Sequence, residues 1–343
     1  MIKHLVISGG GGGFFVIYGV LKYLALKDFW NIADIESIYA TSSGSFIAII
    51  LSLGYDWESL DDYLIKRPWE KVIVLKPDQF INCWKNKGIL DRTIFKLILE
   101  PLLIAKDLSG DITMQELYDY TSIELHIYTT NINGMIPTTV DISYKTHPDL
   151  CAYKAVAMSS TIPIMFSPIC DGSNCYIDGA VLNNFPLDEC IKNLKTKKGA
   201  EAAEKGAEKG AEAEAEAGAG AGAETGAEAE AEAGAEAETG AGAGAETEKN
   251  LENEILAIMV SNFDSVIAIN DDSSIQKYLY SIFEGMRRLI RTDYKQQIIK
   301  NSIDCVIDNT INKWKEALYS SEVRRELIES GYKFGEDFLK VKG

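Results

Sequence analysis

Histidine is nearly missing from this chain. Only His4, His126 and His147 occur in 343 residues. His4 precedes the first strand-like run, His126 lies inside another, and His147 stands in a loop before Pro148. Chemistry that needs several imidazoles, in a metal site or a proton relay, has few positions to draw on. Cysteine is also thin. Cys83, Cys151, Cys170, Cys175, Cys190 and Cys305 are scattered, Cys170 and Cys175 lack a zinc spacing, and no histidine lies near them. They read as reduced, buried or half-buried thiols of an intracellular, cytoplasmic protein that holds no metal and needs no cofactor. Long hydrophobic runs are absent too: the longest, Phe46 to Leu53, is far too short to cross a bilayer. The start Met1-Ile2-Lys3-His4 enters a strand without the charged and apolar regions of a secretory signal.

Basic residues are outnumbered, 34 Lys and Arg against 51 Asp and Glu, and they form no nucleic-acid footprint. Much of the acidity sits in one place. Gly199–Lys249 carries 14 Glu and 3 Lys, a charge of −11, which leaves −6 of the total −17 for the rest. This tract has no Val, Ile, Leu or aromatic residue, so it cannot bury enough apolar surface to offset chain entropy. It reads as a disordered Gly/Ala/Glu insertion, 199–249, within one domain formed by 1–198 and 250–343. Nothing in the sequence speaks to oligomeric state.

Before the tract, apolar runs alternate with amphipathic stretches, the pattern of an α/β sheet with helices on its faces. Strands are expected at His4–Ser8, Ser37–Thr41, Glu124–Thr129, Thr138–Ser143 and Tyr176–Ile177. Helices are expected at Phe14–Leu26, Ser45–Leu53, Trp57–Lys66, Arg92–Ile104 and Met114–Tyr120, the last capped by Thr113 with Glu116. Beyond the tract, 255–260 reads as a buried strand, followed by helices over roughly Ile275–Ile290 and Asp304–Lys333.

The run Ser8-Gly9-Gly10-Gly11-Gly12-Gly13 joins the first strand to the first helix. Glycines let successive N–H groups converge, and the helix dipole adds to their pull on negative charge. The charge could belong to a phosphate or to the oxyanion of an acyl transfer. A P-loop is excluded because no Gly-Lys-Ser/Thr follows, and a dinucleotide loop would need Gly where Phe14 stands. A second strand–turn–helix, Ala40-Thr41-Ser42-Ser43-Gly44, has the form of a nucleophile elbow with Ala40 in place of the first glycine. By itself such a turn is more often a helix cap. A third element, Asp178-Gly179-Ala180, leaves an apolar strand; alone it would read as an Asx-turn.

In this order the three elements resemble the patatin-like phospholipase family, with support from Tyr18-Gly19-Val20-Leu21, Ser159-Ser160-x-Ile162-Pro163 and Asn184-x-Pro186. The resemblance covers roughly residues 4 to 190. Residue usage is also similar to the branch found in large DNA viruses. It implies a three-layer α/β/α fold with a mostly parallel central sheet, and a lipid acyl hydrolase acting on phospholipid or lysophospholipid esters. Carried over residue by residue, Ser42 is the nucleophile and Asp178 its base. Gly10, Gly11, Gly12, Gly13 and Ser43 form the oxyanion hole, supported by Gly9, Ala40, Gly44, Gly179 and Ala180. The scarcity of histidine fits such a dyad independently. An ungapped match places Gly13 on the family's basic residue and Phe14 on its final glycine, which keeps open a lipid-binding or scaffold protein of weak activity. Trp69–Trp84 has the composition of a membrane-touching segment but reads better as core plus loop, and Met286–Arg291 as a solvated basic helix face.

Overall fold

The computed structural model describes residues 1–74, 76–200, 251–262, 268–273, 275, 277–278, 281–282, 284–285 and 299–342. The chain divides into two compact units, Met1–Leu187 with Glu254–Gly343, and Asp188–Asn253. In the smaller unit, residues 188–200 are helical, so helix runs over Gly199 and Ala200, which the sequence assigned to the insertion. The remainder of that tract lies outside the described residues, as does Met286–Arg291.

The larger unit is built on a sheet. Its strands are β1 (His4–Ile7), β2 (Ser37–Thr41), β4 (Glu124–Asn131), β5 (Thr138–Ile142), β7 (Ile169–Asp171), β8 (Asn174–Asp178), β9 (Ile255–Asn262) and β10 (Ser302–Ile307), with a separate pair of β3 (Gly88–Leu90) and β6 (Ile164–Phe166). The order across the sheet is β10-β9-β1-β2-β4-β8-β7, with β5 also on β4. The pairs from β10 to β4 are parallel; β5, β8 and β7 join antiparallel. Every residue of β1 and β2 is buried, so both sheet faces are covered there, as a parallel sheet requires. The result is a mostly parallel sheet with helices on both sides, the three-layer architecture the sequence implied.

The covering helices are α1 (Phe14–Leu26), α2 (Ser43–Ser52), α3 (Trp57–Asp61), α4 (Trp69–Val72), α5 (Pro77–Asn86), α6 (Thr93–Ile104), α7 (Met114–Thr121), α8 (Ala152–Ser160), α9 (Ile311–Tyr319) and α10 (Ser321–Lys342). α1 and α10 pack backbone to backbone. A Cβ on Gly19 would fall 2.2 Å from the Ile328 carbonyl oxygen, and one on Gly331 would fall 2.2 Å from that of Val16. Gly19, part of the family-like signature, is therefore a packing residue. Thr113 caps α7 in a capping box with Glu116, as expected.

Three expectations need correction. The helix foreseen over Trp57–Lys66 becomes a π-helix at Asp62–Lys66. There the Ile65 carbonyl accepts from the guanidinium of Arg324, which is 3% exposed and also bonds the carbonyls of Arg67, Ala317 and Leu318. The helix foreseen from Asp304 is a strand through Ile307: Ile303, Cys305 and Ile307 are buried while Asp304 and Val306 are exposed, a period of two. Finally, Cys170 and Cys175 are not reduced thiols. They oppose each other across the β7–β8 hairpin, which turns through Gly172 at φ 52°, and they form a disulfide. Cys83, Cys151, Cys190 and Cys305 are free.

Candidate active site

Strand lengths bring the site together. β4 runs beside β2 until Tyr128 pairs with Thr41, then outruns it by three residues. β8 pairs antiparallel with that overhang, Tyr176 against Asn131 and Asp178 against Thr129. Its last residue is thereby carried to the end of β2, where Ser42 begins the turn. The two side chains meet: Ser42 Oγ donates to Asp178 Oδ2 at 2.8 Å. Both are buried, Ser42 at 6% exposure and Asp178 at 1%.

Ser42 sits at φ 54°, ψ −130°, outside the regions a non-glycine residue ordinarily occupies. Such strain costs about 1–3 kcal/mol and persists only when neighbours hold it. Here the Ser42 N–H donates to Ser159 Oγ at 2.7 Å, and its carbonyl accepts from the N–H and hydroxyl of Ser45. Gly44 lets α2 start against β1: a Cβ there would lie 2.6 Å from the Ser8 carbonyl oxygen. Ala40 is fully buried in β2. This is a strained strand-to-helix elbow.

The two carboxylate oxygens of Asp178 divide their work. Oδ1 accepts the Ala180 N–H at 2.8 Å, closing the turn that Asp-Gly favours, while Oδ2 faces Ser42. Gly179 fits beneath because it has no Cβ; one would come within 2.2 Å of the Tyr128 carbonyl oxygen.

The glycine loop runs through a 3-10 turn, Gly11–Gly13, into α1. Gly9 exchanges bonds with Asn184, N–H to carbonyl at 3.0 Å and side-chain amide back to the Gly9 carbonyl at 3.2 Å. Gly10 N–H donates to Ser43 Oγ at 3.0 Å. Gly13 N–H donates to the Gly10 carbonyl at 2.8 Å and to Asn309 Oδ1 at 3.1 Å. Asn309 Nδ2 returns a bond to the Gly10 carbonyl at 2.5 Å. Gly10 and Gly13 thus have their amides engaged; those of Gly11 and Gly12 bond to none of the described residues. Asn309 was invisible in the sequence, lying almost three hundred residues from the loop it holds.

All of this opens on a cavity of about 230 Å³. Ser42, Ser43, Asp178 and Gly9–Gly12 stand on one side, and Phe14, Phe46, Phe95, Met165, Phe166 and Trp314 supply much of its apolar wall. Phe14, a departure from the family pattern, is part of that wall and packs edge-on to Phe46. The charged residues lining the cavity are Asp178 and Glu284; no histidine, lysine or arginine is among the described lining residues. His4 bonds Ser37, His126 lies between Asp141 and Glu124, and His147 bonds Thr146.

Residues 5–191 match the family model described as patatin-like phospholipase. Over 205 residues the chain is 35% identical to the "Probable lipid hydrolase" of Invertebrate iridescent virus 6, covering 58% of this chain and 67% of that one. Over 186 residues it is 26% identical to an uncharacterized protein of Acanthamoeba polyphaga mimivirus, covering 54% and 60%. Among solved structures, VipD from Legionella pneumophila overlays with a TM-score of 0.48 at 15% identity, covering 99% of this chain and 67% of that one.

Proposed function

This chain belongs to the patatin-like phospholipase family, and on that premise we propose that it cleaves carboxylic esters of phospholipids or lysophospholipids through a Ser42–Asp178 dyad. One observation carries the reading: the 2.8 Å hydrogen bond from Ser42 Oγ to Asp178 Oδ2, placed at an apolar cavity that no histidine lines.

Asp178 takes the Ser42 proton as Oγ attacks the ester carbonyl, then passes it to the departing alcohol. Water, deprotonated by the same carboxylate, releases the acyl group. The oxyanion forms near the amides of Gly11 and Gly12, which have no competing bond among the described residues, and near the start of α2 at Ser43, where the helix dipole favours negative charge. Gly10 and Gly13 shape the loop instead of donating. Loss of one such donor typically costs about 2.7–4 kcal/mol of barrier. The aromatic wall suits an acyl chain. A nucleotide phosphate in the same loop would meet the carboxylates of Asp178 and Glu284, and no cation stands among the described lining residues, which argues against that use.

A fluorophosphonate probe tests this directly, since it needs an active nucleophile and an oxyanion site but no knowledge of the substrate. Wild type should label and hydrolyse a soluble ester. Ser42→Ala should do neither, and Asp178→Asn should lose roughly 10²–10⁴-fold in turnover, both with unchanged melting temperatures. Undiminished labelling of Ser42→Ala, or an inert folded wild type, would overturn the dyad.

A further inference from the structure

Residues 69–98 leave the cavity wall and return to it. Trp69 and Ile73 line the cavity on the way out; Ile94, Phe95 and Ile98 line it on the way back. Between them stands α5, which ends at Lys87 in the left-handed region, φ 59°, and passes into β3. β3 pairs with β6, whose Met165 and Phe166 also face the cavity.

This excursion shows large apolar side chains to solvent. Ile81 is 75% exposed and Trp84 91%, three residues apart and hence on one face of α5, and Val74 precedes them, also exposed. Lys71, Lys76, Lys85 and Lys87 are exposed around them, and Asp78 is the one acidic residue from 71 to 87. In a chain of net charge −17 this is a local reversal of sign. Trp69 is buried and Val72 and Ile73 pack half-buried against the core, so the core reading holds at the start of the segment; beyond it Val74, Ile81 and Trp84 are exposed.

We propose that α5 and its flanks dock on an anionic phospholipid bilayer. A helix with an exposed tryptophan and isoleucine on one face and lysines around it suits an interface, where the indole settles at headgroup level and the ammonium groups meet anionic lipid. The position of the patch gives docking a purpose: it sits on a segment whose two ends are walls of the cavity, so the bilayer is brought to the cavity's rim. What then enters rests on the lipid-hydrolase reading; the docking itself does not.

Flotation of the full chain with phosphatidylcholine vesicles, with and without phosphatidylserine, tests the proposal alongside hydrolysis of a soluble short-chain ester. Wild type should prefer the anionic vesicles, and added salt should weaken that preference. Ile81→Ser with Trp84→Ser should lose roughly tenfold or more in vesicle affinity, and Lys85→Gln with Lys87→Gln should lose the anionic preference. Circular dichroism and soluble-ester turnover should be unchanged in both. Equal vesicle binding by the Ile81/Trp84 variant overturns the proposal, as does a wild type that ignores both vesicle types. Loss of soluble-ester turnover in that variant also overturns it, by making α5 part of the cavity. A wild type that floats with vesicles but hydrolyses no ester would sink the hydrolase reading and leave docking intact.

Discussion

The hydroxyl of Ser159 links two backbones, accepting the N–H of Ser42 at 2.7 Å and donating to the Tyr128 carbonyl at 2.6 Å. A side chain from α8 thereby holds the strained elbow against the strand that also carries Asp178's partner. Ser159→Ala strips a buried donor and a buried acceptor of their partner, an expected cost of about 1–3 kcal/mol in thermal unfolding. Fluorophosphonate labelling of Ser42 should slow in parallel. Ser160 is the control: its buried hydroxyl faces the cavity without a partner among the described residues, so Ser160→Ala should leave stability unchanged. If the two variants melt alike, the elbow is held by other means.

Asn309 holds the glycine loop by both ends of its amide. Asn309→Ala should lower kcat roughly 10- to 100-fold, equivalent to about 1.4–2.8 kcal/mol of barrier, with little change in KM. Asn309→Asp should not rescue it, because a carboxylate can accept from Gly13 but cannot donate to the Gly10 carbonyl. Steady-state kinetics on a soluble ester separate the two parameters. Wild-type kcat in Asn309→Ala would mean the loop is held by its own 3-10 turn.

His126 gives stability a dependence on pH. Burial disfavours its charged form, yet the 2.8 Å bond to Asp141 and the Glu124 carboxylate at 3.6 Å outweigh this and hold its pKa above the ordinary histidine value. Glu124 is shared with Lys145, and the imidazole stacks on Tyr39. A folded-state pKa above the unfolded one means the protonated ring stabilises the fold below about pH 6.5, and that contribution fades as pH rises through the raised value. The melting temperature of wild type should therefore fall across that interval, and His126→Gln should flatten the fall. Activity at constant stability should not follow His126, which lies outside the cavity lining. A pH profile of unfolding identical in the two proteins would remove His126 from the account.

Local backbone signals made half of the site legible. Five glycines between a strand and a helix, a serine in a tight turn of small residues, and an Asp-Gly leaving a strand each report on their own neighbourhood, and those neighbourhoods fold as read. The contacts between neighbourhoods were not legible. Asn309 is one amide in a loop and gains meaning only because β10 lies next to β9 and β9 next to β1. Ser159 was visible as part of a helix end, but nothing local reveals that its hydroxyl serves Ser42. The disulfide between Cys170 and Cys175 depends on a hairpin register that short strands do not announce. The β10 error differs in kind. The alternation over Ser302–Ile307 was present, and the helical pattern that follows it drew the boundary too early.

On the ribosome, Ser42 and Asp178 emerge long before the residues that hold the glycine loop in place. β1 receives its second neighbour only when Ile255–Asn262 has been made. The loop gains its clamp with Asn309, and α1 gains its close backing with Gly331. A partly translated chain therefore carries Ser42 and Asp178, the proposed nucleophile and base, before the glycine loop has its support. For the proposed hydrolase, translation order would defer ester cleavage until the distal segment has been synthesised and seated.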